Sequence, residues 1–134
     1  MNWDTGEGLL AVEDPRVVDA AFDRGERHVG VAVVGISLNW DRQEDISIRI
    51  QRAAESEDRE TQRMAFTALG HVVRRFRSLD SVLDSVIYRF RSSSLSEVAM
   101  DDVLQYIPFW QMPLWLKKVW LSRTLRWNLL DRWK

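Results

Sequence analysis

The sequence predicts an all-α fold: an α-α superhelix of about three antiparallel helical pairs, followed by a tryptophan-rich carboxy-terminal helix. Three observations point there. From Asp58 to Phe76, the residues Met64, Ala65, Ala68, Leu69, Val72, Val73 and Phe76 recur at helical spacing and form one broad apolar face, with Asp58 as N-cap and Glu60 in the first turn. Setting Gly35 on Gly70 aligns Asp23-Arg24 with Asp58-Arg59 and Val33-Val34 with Ala68-Leu69, a period of about 35 residues that belongs to repeats of paired helices. A fainter third copy places Ala99 on Ala65 and Val103 on Leu69. Finally, Asp14, Asp41, Asp80 and Ser94 stand at N-cap positions that divide the rest of the chain into helical lengths.

Taken in order, residues 1–13 form a polar lead. Asp14-Pro15 opens a helix through Val17, Val18, Ala21 and Phe22, which Gly25 stops. From Arg27 to Leu38 the β-branched residues suit a buried strand, and Gly30 and Gly35 weaken a helix; the repeat decides for helix. Asp41 with Glu44 reads as a capping box for a helix to about Glu55. There Ile46 to Ile50 alternates as a strand would, but a helix keeps Ile46, Ile50, Ala53 and Ala54 on one face and leaves only Ile48 off it. Asp80 caps a helix from Ser81 to Phe90. Ser94 and Glu97 read as another capping box, opening a helix that Pro108 ends. After Pro113 a last helix runs from about Leu114 to Arg132. No linker is long enough to separate a second domain, so residues 1–134 are expected to form one, with 113–134 as its Trp-rich basic end.

The 134 residues suffice for a core without staples, and the absence of cysteine excludes thiolate catalysis, Cys-based zinc sites and disulfides. The acidic amino terminus lacks the features of a secretory signal, and no segment has the roughly 18 uninterrupted apolar residues of a membrane span. A cytoplasmic protein is expected. From Pro113 onward six basic residues face one acidic, a charge of +5; with a total of −1, the remainder carries −6.

Around the central helix the chain resembles a known family. Asp58, Arg63, Ala65, Ala68, Leu69 and Gly70 look like the second helix of a HEAT repeat. Extended to His71, Arg75, Leu79-Asp80 and Ala99-Met100-Asp101-Asp102-Val103, with Trp40-Asp41 upstream, the pattern is similar to small bacterial HEAT-like proteins of immunity type. It covers about Trp40 to Ile107. It departs from the pattern at Gln62, where a branched apolar residue is usual, and in lacking a proline in the preceding turn. The resemblance implies a non-enzymatic protein that neutralises a bacterial toxin domain by direct contact; a general scaffold or adaptor is the alternative.

The chemistry legible in the residues agrees with binding rather than catalysis. His28 and His71 occupy nearly equivalent repeat positions and read as helix-contact residues, since no nucleophile and base converge on them. Glu97, Asp101 and Asp102 lack further ligands for a metal site, and no cofactor is expected. Arg74, Arg75, Arg77, Arg89 and Arg91 form a basic run, but no nucleic-acid motif accompanies it. Two groups are the candidate partner-binding residues. One is acidic: Asp41, Glu44 and Asp45 with Glu55, Glu57, Asp58 and Glu60, a patch suited to a basic partner. The other is Trp115, Trp120 and Trp127 of the last helix, which is apolar on both sides. Burial on both sides leaves two roles for that helix, a cap on the stack or an interface with a partner or second copy; its scattered basic residues argue against a membrane surface.

Overall fold

The computed structural model describes residues 1–132, with side chains as far as Arg126. Among these residues there is no strand, and seven α-helices follow one another: α1 (Pro15–Arg24), α2 (Val29–Asn39), α3 (Gln43–Ala54), α4 (Arg59–Phe76), α5 (Ser81–Arg89), α6 (Glu97–Tyr106) and α7 (Leu114–Arg132). α1 packs on α2 and α3 on α4 as the helical-pair reading expects, whereas α5 and α6 join the stack through α3 and α4 rather than through each other. The first members, α1, α3 and α5, lie side by side in one layer, and the second members, α2, α4 and α6, in another. The long central helix α4 touches α2, α3 and α6, so the core condenses around its buried face of Ala65, Phe66, Ala68, Leu69, Val72 and Val73.

Local chemistry sets the helix starts. Asp14, Asp58 and Asp80 each accept a backbone N–H of the first turn, from Arg16 at 2.9 Å, Thr61 at 3.1 Å and Leu83 at 2.9 Å. The two expected capping boxes do not form. α3 opens two residues after Asp41, with Arg42 at the N-cap and no side-chain cap, because Asp41 turns instead to Arg75 of α4 at 3.1 Å. Ser94 lies inside a 3-10 turn, Ser94–Ser96, that Ser93 caps, so α6 begins only at Glu97. Gln62, the departure from the HEAT pattern, donates to the carbonyl of Ala54 at 3.1 Å and so satisfies an acceptor at the end of α3.

Helix α2 forms despite its β-branched sequence because it is enclosed. Val29, Ala32, Val33, Val34, Ile36 and Ser37 are all buried, the pattern of a core helix surrounded on every side. On α3, Ile48 is exposed, the one apolar residue that the helical reading leaves off the inner face. Between α1 and α3 the Arg49 guanidinium forks onto Asp19, through Nε at 3.0 Å and Nη2 at 2.6 Å, which fixes the register of the first layer.

Both ends of the stack are covered. The amino-terminal lead folds across α2: Leu9 is fully buried, Val12 is buried, and Asn39 donates to the Leu10 carbonyl at 2.9 Å. Gly35 permits this approach, since a Cβ there would lie 2.5 Å from the Leu9 carbonyl oxygen. At the other end Leu116 of α7 is fully buried, and Trp115 Nε1 donates to Asp84 of α5 at 2.7 Å.

Candidate functional site

The acidic residues do not form one patch. Asp41, Glu44 and Asp45 lie at the start of α3 and Glu55, Glu57, Asp58 and Glu60 beyond its end, so the twelve residues of α3 hold the groups about 18 Å apart. Most of these carboxylates also have partners inside the molecule. Asp45 accepts from Trp40 Nε1 at 3.0 Å, Asp41 pairs with Arg75, and Glu55 meets Arg89 at 3.4 Å. Asp58 is the N-cap of α4; the Thr61 hydroxyl at 2.6 Å and the Thr61 N–H hold its carboxyl below the ordinary value of 3.8.

Glu60 accepts from His28 Nδ1 at 3.1 Å, while His28 Nε2 meets the Asp4 carbonyl at 3.0 Å. Both ring nitrogens face acceptors, so His28 ties the lead, α2 and α4 together when each carries a proton. Asp41, Glu55 and Glu60 are ion-paired and Asp45 and Asp58 hydrogen-bonded to neutral donors, which leaves Glu44 and Glu57 of the seven with neither among the described residues. The basic run divides in the same way. Arg74, Arg75 and Arg77 sit at the end of α4, Arg89 and Arg91 at the end of the antiparallel α5, and Arg91 stacks on Tyr88.

The tryptophans brace the last helix. Trp115 is bonded to Asp84 and packs edge-on against Tyr88, and Trp120 lies against Phe109, with ring centroids 5.2 and 5.0 Å apart respectively. Trp127 lies outside the described side chains. The structure therefore brings the sequence candidates to three separate places: the two ends of α3 and the inner face of α7.

Between α4 and α6 the second layer opens into a groove of about 440 Å³, which sequence reasoning did not find. Phe66 and Ala99 are buried in its floor, and Thr67 and Leu95 line it. Its rim carries Arg63, Arg74, Asp102 and Val98, and Val98 is 75% exposed. Arg63 and Arg74 stand eleven residues apart on α4, about 16 Å, so the groove has a guanidinium towards each end. Arg63 enters no ion pair among the described residues.

Arg74 is anchored at the base of its end. Its Nε donates to the Gly70 carbonyl at 3.2 Å and its Nη2 to His71 Nδ1 at 3.0 Å. The ring must accept there, which requires neutral imidazole, and burial followed by the Arg74 charge lowers the His71 pKa below 6.5 against the opposing pull of Asp102. Asp102 lies against Gly70, where a Cβ would be 2.5 Å from its Oδ2. The sequence signals were present on each helix separately: Arg63, Thr67 and Arg74 lie off the apolar stripe of α4, and Val98 precedes Asp102 by one turn of α6. Their meeting depends on how far the two helices stand apart.

An apolar floor between one anchored and one free guanidinium group can hold an apolar side chain and an adjacent carboxylate. In comparisons with protein-family models, curated proteins and solved structures, nothing matches the chain.

Proposed function

We propose that the protein is a non-enzymatic protein-binding module whose partner docks in the groove between α4 and α6. One observation carries this reading: exposed Val98 and Arg63, which has no ion pair among the described residues, border a buried apolar floor, whereas the acidic residues at the two ends of α3 are largely occupied by internal bonds. An exposed apolar residue beside a cationic group with no internal carboxylate is a surface that gains on meeting a partner. His71, the one histidine near the groove, has its Nδ1 occupied by Arg74, which favours binding over acid-base chemistry.

The finer reading is an immunity protein that neutralises a bacterial toxin domain by direct contact. Its support is the HEAT-like resemblance of Trp40 to Ile107. Co-expression with a toxin-like product encoded beside it should restore growth, and Arg63→Ala with Val98→Asp should abolish the rescue without changing the melting temperature. A product that stays equally lethal beside the wild-type chain contradicts toxin neutralisation. A stable complex without rescue makes the protein a scaffold or adaptor.

A further inference from the structure

The two sides of α7 differ. Leu116, Trp120 and Arg123 face the body: Leu116 is fully buried, Trp120 packs on Phe109, and Arg123 pairs with Asp101 of α6 at 2.6 Å. Leu114, Lys118, Leu121 and Leu125 fall at i, i+4, i+7 and i+11 on the opposite side. The three leucines there are 69%, 46% and 59% exposed. Lys118 lies within this strip, the exposed Arg126 borders it, and the helix sequence contains no acidic residue from Leu114 to Leu130. At its base, in the 3-10 turn Phe109–Gln111, Trp110 is 78% exposed.

On the sequence alone both sides of this helix are apolar and its basic residues are scattered. Burial of Leu116 and Trp120 removes one side, and what remains is a leucine strip among cations beside an exposed tryptophan. α7 as a whole is not amphipathic, but its free face shares leucines, adjoining cations and a neighbouring exposed tryptophan with helices that lie in a bilayer interface.

We propose that α7 docks the protein on an anionic lipid surface, with Leu114, Leu121 and Leu125 among the acyl chains and Lys118 and Arg126 at the headgroups. Charge decides the occupant. The segment from Pro113 carries +5 and the rest of the chain −6, so an anionic plane attracts the α7 end and repels the body, which fixes the orientation. A second copy would bring the same cations against themselves, and Asp84, the carboxylate beside Leu114 and Lys118, is already bonded to Trp115 Nε1.

The test is sedimentation of the full chain with vesicles of phosphatidylcholine alone and of phosphatidylcholine mixed with phosphatidylglycerol. Binding is expected only to the mixed vesicles and should weaken as salt is raised. Lys118→Gln with Arg126→Gln should lower the partition coefficient about thirtyfold, on the order of fivefold per charge. Leu121→Asp with Leu125→Asp should lower it at least about a hundredfold, with the helical circular dichroism and melting temperature unchanged. Equal binding to both vesicle types, no binding to either, or indifference to the leucine substitutions overturns the proposal. So does a solution dimer, or a complex with a protein partner, that the leucine substitutions dissolve while vesicles go unbound.

Discussion

The two ends of the helical stack are covered by different means. At the amino-terminal end the cover is main chain: the Leu9 carbonyl sits over Gly35, Asn39 binds the Leu10 carbonyl, and Leu9 is sealed beneath. At the other end it is side chains of α7, with Leu116 buried and Trp115 bonded to Asp84, while the outer leucines of the same helix stay in solvent. A backbone seal leaves little for a partner to add. A helix laid on by one face still presents its other, so the larger group of exposed apolar side chains lies at the α6 and α7 end, while the lead end shows Met1, Leu10 and Leu38.

The comparison is sharpest at two leucines that are equally inaccessible. Leu9→Ala should cost about 3–4 kcal/mol, near the upper half of the range for buried leucines, because the main chain over Gly35 cannot collapse into the cavity. Leu116→Ala should cost about 2–3 kcal/mol, since α7 can shift to fill part of the space. Chemical denaturation of the two variants reads the difference, and a costlier Leu116 would reverse the assignment of the rigid and the adjustable end.

Next in size, Trp115→Phe keeps the ring against Tyr88 but removes the bond to Asp84. It should cost about 1 kcal/mol, because water reaches the half-buried carboxylate. A loss of several kcal/mol would mean that α7 is held as firmly as the lead. At Asp58, replacement by Ala should also cost about 1 kcal/mol through loss of the cap.

Asp58 and His71 also give opposite ends of a pH profile. The Asp58 carboxyl is held below 3.8 in the fold, so the unfolded chain takes up its proton first; its contribution is present above that value and is lost as pH falls through the lower folded pKa. His71 is likewise held below 6.5, so the unfolded chain binds the extra proton and stability declines as pH falls past 6.5. Melting curves across this range should show the second decline flattened by His71→Gln, and an unchanged slope would contradict the neutral, Arg74-bonded ring.

The sequence made the helices legible because their signals are local. Asp14, Asp58 and Asp80 sit where their carboxylates reach the first-turn amides, and the stripe of α4 is continuous. Local reading failed where Asp41, which has the spacing of a cap, answered to the distant Arg75, and where two adjacent serines could each cap and Ser93 rather than Ser94 did so.

The seven acidic residues look like one patch only in one dimension, since α3 carries the two groups to its opposite ends. The role of the lead was hidden because its contacts use carbonyl groups, which every residue has. The groove was hidden because no residue pattern states the separation of α4 and α6. It is made by the space between their faces rather than by either face.

On the proposed reading, binding lies in that groove and not at the acidic turns. The most direct measurement is the affinity of the protein partner, on the proposed reading a toxin domain, for two variants of matched stability, Arg63→Ala with Val98→Asp and Glu55→Gln with Glu57→Gln. Loss of at least about a hundredfold in the first, roughly the two hot-spot residues it removes, with no change in the second, is the predicted result. Tight binding by the groove variant together with weakened binding by the acidic-turn variant would contradict it.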